Sequence, residues 1–296
     1  MMDFKLSVPA STANLGPAFD SAGLAVQLYL HLNVEQAEKW EFVHTTELLP
    51  DCTTYEEHFI YQIAQRTAER YQQYLPPAKV TISSDIPLAR GLGSSASAVV
   101  AGIELANQLC KLSLPKEEKL QVGTEIEGHP DNIAAALLGG LVITAKLTED
   151  DLEYVHLSNI DLDTVVYIPQ VELKTEAARR VIPEQFSKNQ ATTASSISNV
   201  MVAALITGDY EQAGKIMERD GFHEPFRAEL IPNYQQIKLL AKEHGAFGTV
   251  ISGAGPTMIS FTAKGRGTQL AEKMGPLLPE HQVRMVKIDR AGLQIL

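Results

Sequence analysis

Pro87-Leu88-Ala89-Arg90-Gly91-Leu92-Gly93-Ser94-Ser95-Ala96-Ser97 joins an alternating run, Lys79 to Ser83, to a run of small and aliphatic residues, Ser94 to Cys110. The period of two predicts a strand and the second run a buried helix. Gly91 and Gly93 have no Cβ, so main-chain N–H groups can come close to a ligand. Ser94 or Ser95 is placed to cap the helix, whose N-terminus carries partial positive charge. Such a loop suits a di- or triphosphate. Taken alone, it suits a glycine-rich turn with a serine cap equally well. No Gly-x4-Gly-Lys-[Ser/Thr] occurs, and no complete Gly-x-Gly-x-x-Gly follows a strand, so the common mononucleotide and dinucleotide fingerprints are excluded.

Outward from the loop, strands are predicted at Lys5 to Pro9, Gln27 to Val34, Glu41 to His44 and Leu141 to Thr144. Further strands are predicted at Val165 to Ile168, Thr249 to Ser252, Thr257 to Phe261 and Val283 to Ile288. Helical periodicity marks Glu56 to Tyr71, Ser195 to Ile206 and Tyr234 to His244, and a short helix runs from Asp131 to a Gly139-Gly140 stop. Both halves mix strands and helices without a βαβ rhythm, which predicts an α+β chain of two domains. The acidic stretch Thr148 to Asp163 reads as the boundary, giving domains 1–155 and 156–296.

Of the 296 residues, 45% are hydrophobic and 21% charged, an ordinary globular mix with ample core material. A formal net charge of −11 argues against non-specific binding to nucleic acid or anionic membrane. A phosphate ligand must therefore be held by local N–H groups and a metal ion rather than by overall charge. Cys52 and Cys110 have no metal-ligand spacing and read as reduced thiols. Met1 to Pro9 lacks a secretory pattern, and no apolar run is long enough to span a bilayer, so a soluble cytoplasmic protein is expected.

Three other segments gather chemistry. Val8 to Asp20 follows a strand and offers Asn14 and Asp20 on one turn, which also suits a simple Asx-turn. Glu125-Ile126-Glu127-Gly128-His129-Pro130-Asp131-Asn132 packs carboxylates, an imidazole and an amide just before a helix. One of its glutamates would suffice for Mg²⁺, which takes one or two carboxylates beside phosphates and waters. Ile251 to Thr257, with Gly253 and Gly255, joins two apolar strands as a hairpin turn would.

Pro-x3-Gly-Leu-Gly-Ser-Ser-Ala resembles the ATP-binding signature of the GHMP kinases. Ala13-Asn14-Leu15-Gly16-Pro17-Ala18-Phe19-Asp20 and His129-x-Asp131-Asn132 resemble the homoserine kinase family within that group. Ala18 replaces a glycine of that family's pattern, a strained choice if the position needs φ > 0. The four motifs stand in the family's order from residue 8 to residue 257.

The resemblance implies a two-domain fold with a ferredoxin-like C-terminal domain and a cleft for ATP and substrate. It implies phosphorylation of the L-homoserine side-chain hydroxyl, with ATP and Mg²⁺ required. The loop from Pro87 to Ser97, with Gly253 and Gly255, would hold ATP. Glu127, with Glu125 in reserve, and Ser95 would hold Mg²⁺. Asn14, Asp20, His129 and Asp131 would shape the amino and hydroxyl end of the substrate. Its carboxylate would be gripped by Arg179 and Arg227, since an arginine fork pairs with a carboxylate bidentately. Asn132 would orient the hydroxyl, with no dedicated general base, because an amide is no base at neutral pH. A homodimer is compatible with the resemblance. The competing expectations are a GHMP kinase for an uncharged alcohol, with little use for two arginines, and a binding protein of this fold without activity.

Overall fold

The computed structural model describes residues 3–49, 52–148 and 151–296. Strand β1 (Phe4–Ala13) runs four residues past the predicted end at Pro9, through Ser11 and Thr12. Proline cannot donate to a ladder. The register with β2 (Ala22–Gln36) slips between Pro9 and Ala10, and the irregularity accommodates the missing donor. β2 is the spine of the first sheet. It pairs antiparallel with β1 and also with β4 (Ala78–Ser84) and β5 (Leu141–Lys146), while β3 (Glu41–His44) lies parallel to β4.

Four helices follow from the same local logic. In α1 (Phe59–Arg70), Ile60, Ile63, Ala64, Thr67 and Ala68 are buried, as the periodicity requires. β4 (Ala78–Ser84) leads through the glycine loop into α2 (Ser94–Leu109). A Cβ on Gly102 would sit 2.6 Å from that of Ile63, so α1 and α2 approach closely because that residue is small. The sequence reading missed α3 (Lys116–Glu127). Of its buried residues, Gly123 and Thr124 carry little apolar signal, and Leu120 and Val122 stand roughly 200° apart, so no apolar stripe marks the helix. α4 (Asp131–Leu138) ends at Gly139, followed by β5 (Leu141–Lys146).

The stretch Thr148 to Asp163 holds more than a boundary. Residues 149–150 lie outside the described residues, but β6 (Leu152–Leu157) pairs along β5 and runs across the expected division at 155/156. Its alternation is weak because no residue of this strand is fully buried. Residues 158–161 then cross to β7 (Leu162–Pro169), the spine of a second sheet.

Every residue of β7 is buried. Val166 and Ile168 join the main core with the first sheet, whereas Val165 and Tyr167 face a second cluster, the two-sided burial expected of a continuous apolar strand. α5 (Thr175–Arg180), α6 (Lys188–Thr207), α7 (Tyr210–Met217), α8 (Glu224–Arg227) and α9 (Tyr234–Glu243) follow. β8 (Gly248–Ile251), β9 (Met258–Ala263), α10 (Gly267–Met274) and β10 (His281–Val286) complete the second sheet in the antiparallel order β10-β7-β9-β8. The chain then returns to the first sheet, where β11 (Gln294–Ile295) pairs with β1. Cys52 and Cys110 form no disulfide. No helix among the described residues is long and apolar enough to cross a membrane.

Candidate active site

A cavity of about 430 Å³ lies where the glycine loop, the end of β1, α5 and the Ser252–Gly255 turn meet. Gly91 and Gly93 sit at φ +72° and +68°, the left-handed region glycine tolerates. A Cβ on Gly91 would fall 2.3 Å from the Ser252 carbonyl, and one on Gly93 2.2 Å from Ser11 Oγ. The loop is thus clamped backbone to backbone. The Ser252 hydroxyl donates to the Gly91 carbonyl at 2.6 Å, and Gly253 N–H donates to the Ala13 carbonyl at 3.1 Å.

Ala89, Gly91, Gly93, Ser94 and Ser95 line this cavity, as does Gly253. The remaining loop residues have other work. Gly93 itself is the helix N-cap and no side chain caps it, so neither Ser94 nor Ser95 does what the sequence suggested. The N-terminal amides of α2 consequently stay available. Ser97 is buried, donating within reach of the Pro9 and Gly93 carbonyls at 2.8 and 3.0 Å as a brace to β1. Leu92 and Ala96 point into the core. Arg90 turns away: its guanidinium donates to the Pro169 and Gln170 carbonyls and meets Glu172, tying the loop to the end of β7. Pro87 lies on the far side of the loop, beside Arg90. Gly255 packs against Ile231 rather than facing the cavity. Leu88 faces a neighbouring apolar cavity of about 350 Å³, bounded by Leu30, Ile60 and Ile86, which shares Ala89, Ser94 and Ser95 with the first.

At the other end, Asn14 (φ +73°) donates to the Gly253 carbonyl at 2.9 Å and accepts from the Asp20 N–H at 3.0 Å. This holds Asp20 at the cavity wall, where its carboxylate takes both Nη atoms of Arg179 at 2.6 and 2.9 Å. Arg227 is 1% exposed, yet one edge reaches the cavity. It donates to the Ala178 and Gly253 carbonyls at 2.9 and 3.1 Å and to His223 Nδ1 at 3.1 Å. His223 Nε2–H donates to the Gly16 carbonyl at 2.9 Å, which fixes the neutral tautomer. Burial pushes the His223 pKa down despite the nearby carboxylates. Burial, with the like charge of Arg179 second, pulls Arg227 down to about 10, so it stays cationic at neutral pH. Phe19 lies under both guanidiniums at 5.4 and 5.2 Å, a cation–π contact.

His129 Nδ1–H donates to Asp131 Oδ1 at 2.7 Å. Burial lowers the His129 pKa, but the Asp131 hydrogen bond and the charges of Asp131, Asp20 and Glu127 outweigh it, and the ring ends above its ordinary value. One ligand atom from each of Asp20, His129 and Asp131 falls within a 4.8 Å group. Asn132 Oδ1 accepts from Ser11 Oγ at 2.9 Å, which leaves the amide N–H₂ on the cavity side as a donor.

The choice between the two glutamates follows from α3. Residues two apart on a helix point roughly 200° apart, so they cannot share a face. Glu125 pairs with Arg70, while Glu127 lines the cavity and accepts from Ser95 Oγ at 2.8 Å. A carboxylate and a hydroxyl beside a phosphate loop fit Mg²⁺, which leaves most of its sphere to phosphates and water. Sequence reasoning named neither Phe19, Ser11, Lys174, Thr175 nor His223 as site residues, though Ser11 and Phe19 lie inside the Val8 to Asp20 segment.

The sequence profile described as GHMP kinases N terminal domain matches residues 58–140, and that described as GHMP kinases C terminal matches residues 201–277. A homoserine kinase of Oceanobacillus iheyensis is 54% identical over 297 aligned residues, covering 100% of this chain and 99% of its own. One from Bacillus licheniformis is 45% identical, covering 99% and 95%. The chain belongs to the homoserine kinase family. The crystal structure of homoserine kinase from Cytophaga hutchinsonii superposes with a TM-score of 0.82 at 26% identity, over 99% of this chain and 97% of that one.

Against the homoserine kinase pattern, Ala18 carries no strain: it is absent from the positive-φ residues, and its methyl is buried in the core. The left-handed positions of this homoserine kinase turn are Asn14, Leu15, Gly16 and Asp20. Asn14 tolerates that conformation through its own side-chain hydrogen bonds.

Proposed function

We propose that the chain transfers the γ-phosphoryl group of ATP to the side-chain hydroxyl of L-homoserine, giving ADP and O-phospho-L-homoserine, a step towards threonine. The observation that carries this reading is the polarity of one cavity. A loop of glycines and free helix amides lies at one end, and Arg179, Arg227 and Asp20 lie at the other. The first end suits polyphosphate, the second a zwitterion.

Phosphoryl transfer asks mainly for positioning and charge stabilisation. Backbone N–H groups of Gly91 to Ser95 would cradle the phosphates. The apolar cavity bounded by Leu30, Ile60 and Ile86 would take the base. Arg179 and Arg227 would hold the amino-acid carboxylate, and Asp20, with Asp131 and His129 behind it, would receive the ammonium. The Asn132 amide N–H₂, oriented by Ser11, would hold the acceptor hydroxyl in line. Asp131 Oδ1 accepts from His129 and the Asn132 N–H, so this carboxylate is assigned to positioning rather than to proton abstraction. The hydroxyl proton would then pass to the phosphoryl oxygens. Glu127 and Ser95 would hold Mg²⁺, which supplies charge neutralisation at the phosphates when bound.

The same reading takes the chain as two domains, one per sheet, with the crossover at 158–161 as the division and β11 returning to the first. It also takes the protein as a cytoplasmic homodimer that binds neither nucleic acid nor membrane.

The test is coupled ADP release with Mg-ATP and L-homoserine, mevalonate or galactose offered separately. Turnover on homoserine alone is expected. Turnover on another alcohol would retain the phosphate loop and discard the roles of Arg179 and Arg227. ATP binding without any turnover would leave a binding protein of this fold.

A further inference from the structure

The cavity must accept a polyphosphate of several negative charges, yet its phosphate loop brings no cation of its own. Arg90, the one basic residue between Pro87 and Ser97, is spent on the Pro169 and Gln170 carbonyls and Glu172. Arg179 is held by Asp20, and Arg227 by His223 and two carbonyls. The other charged side chains on the wall, Asp20, Glu127, Asp131 and Glu176, are acidic, apart from His129 and one lysine.

That lysine is Lys174. It lines the cavity, is exposed, and among the described residues its ammonium makes no hydrogen bond or ion pair. Its placement is dictated by the backbone. Leu173 N–H donates to the Ala89 carbonyl at 3.0 Å, so the strand end after β7 is hydrogen-bonded onto the phosphate loop itself. Ala89 stands where the polar and apolar cavities meet. Lys174 is the next residue along, whereas Arg179 lies more than a turn farther down α5 beside Asp20. An exposed lysine ordinarily needs no role. This one is an unpaired cation on the cavity wall beside the phosphate loop, and a flexible ammonium suits a point contact with a phosphate.

We propose that Lys174 is a phosphate-contacting residue that reaches from the second sheet to the terminal phosphoryl group of the bound nucleotide. Its charge offsets the negative charge that the side-chain-free loop leaves uncompensated. It exchanges no proton with the substrate. The inference rests on the nucleotide reading of this cavity.

The experiment compares the full chain with Lys174→Met, Lys174→Arg and, as a control for lost surface charge, Arg180→Met, whose guanidinium pairs with Glu176 in solvent. Calorimetry measures ADP and a non-hydrolysable ATP analogue with Mg²⁺; steady-state assays give kcat and both KM values. Lys174→Met is expected to weaken the analogue about tenfold or more while ADP stays within about twofold, since one charge-assisted contact is lost. Turnover on Mg-ATP should fall with it, Lys174→Arg should restore most of the loss, and Arg180→Met should match the parent. Equal weakening of ADP and analogue, no change in either, or a loss confined to the homoserine KM would each overturn the proposal. A parent protein inactive on homoserine would sink the assigned reaction, and the nucleotide comparison would still decide the role of Lys174.

Discussion

Asp20 and Arg179 form a forked ion pair across the cavity, with Nη2 2.6 Å from Oδ1 and Nη1 2.9 Å from Oδ2. One partner stands on the turn after β1 and the other on α5, 159 residues later. Each side chain is about one-third exposed, so the pair contributes little to stability, of the order of 0–1 kcal/mol. Its consequence is positional. The guanidinium is held over Phe19, 5.4 Å from the ring centre, at the cavity wall.

Replacing Arg179 by alanine should therefore cost substrate affinity rather than fold. The KM for homoserine is expected to rise about 30-fold or more, with the thermal midpoint within a few degrees of the parent. Arg179→Lys should recover only a part of this, because an ammonium cannot form the fork. Steady-state kinetics beside a thermal melt check both. A large drop in melting temperature with an unchanged KM would make the pair structural.

Glu127 and Glu125 should separate in their metal dependence. Glu127→Gln is expected to raise the Mg²⁺ concentration for half-maximal turnover by about tenfold or more, and Ser95→Ala to do so by less. Glu125→Gln should leave that titration alone, since its carboxylate is engaged with Arg70 on the outer face. Equal effects at both glutamates would remove the distinction drawn from α3.

Asn132→Ala should lower kcat about 100-fold with a smaller change in the homoserine KM, since the amide is assigned to alignment. Asn132→Asp keeps the shape but replaces the N–H₂ donor by an acceptor beside Asp131. It is expected to be at least as damaging at neutral pH. A rate in either variant matching the parent would eliminate the role given to Asn132.

Acid should destabilise the protein through His58. Burial, with the neighbouring His44 second, pulls its pKa from 6.5 to about 4. The ring accepts the Ile60 N–H at Nδ1 as the cap of α1, and its Nε2 lies 2.9 Å from that of His44. A folded pKa below the unfolded one means that the unfolded chain binds the proton first. The stabilisation is thus complete above pH 6.5 and lost as pH falls from there towards about 4. Urea melts at several pH values should show the parent losing stability relative to His58→Gln across that window. Parallel curves would show that His58 does not supply the acid sensitivity.

Much of this protein is legible in its amino-acid order because the deciding chemistry is short-range. Alternation placed β2, β3 and β4, and Gly91 and Gly93 marked a loop whose backbone had to turn left-handed. The order of motifs sufficed for the family. The turn that carries Ala18 is closed locally, by hydrogen bonds from the Ala18 N–H to the Asn14 carbonyl and from the Asp20 N–H to the Asn14 side chain. What tertiary structure decided lies in contacts between residues far apart in the chain. Whether a loop residue faces ligand, core or the opposite sheet depends on what packs against it. Hence Ser97 proved a brace to Pro9, and Arg90 a clasp on the end of β7, although both sit inside the phosphate motif. α3 and β6 left no clear apolar period: Leu120 and Val122 stand on opposite sides of α3, and β6 has no fully buried residue. Without α3, the facing of Glu125 and Glu127 could not be read. Lys174 carries no local signal at all: only the hydrogen bond from Leu173 to Ala89, made across 84 residues of chain, puts its charge beside the phosphate loop.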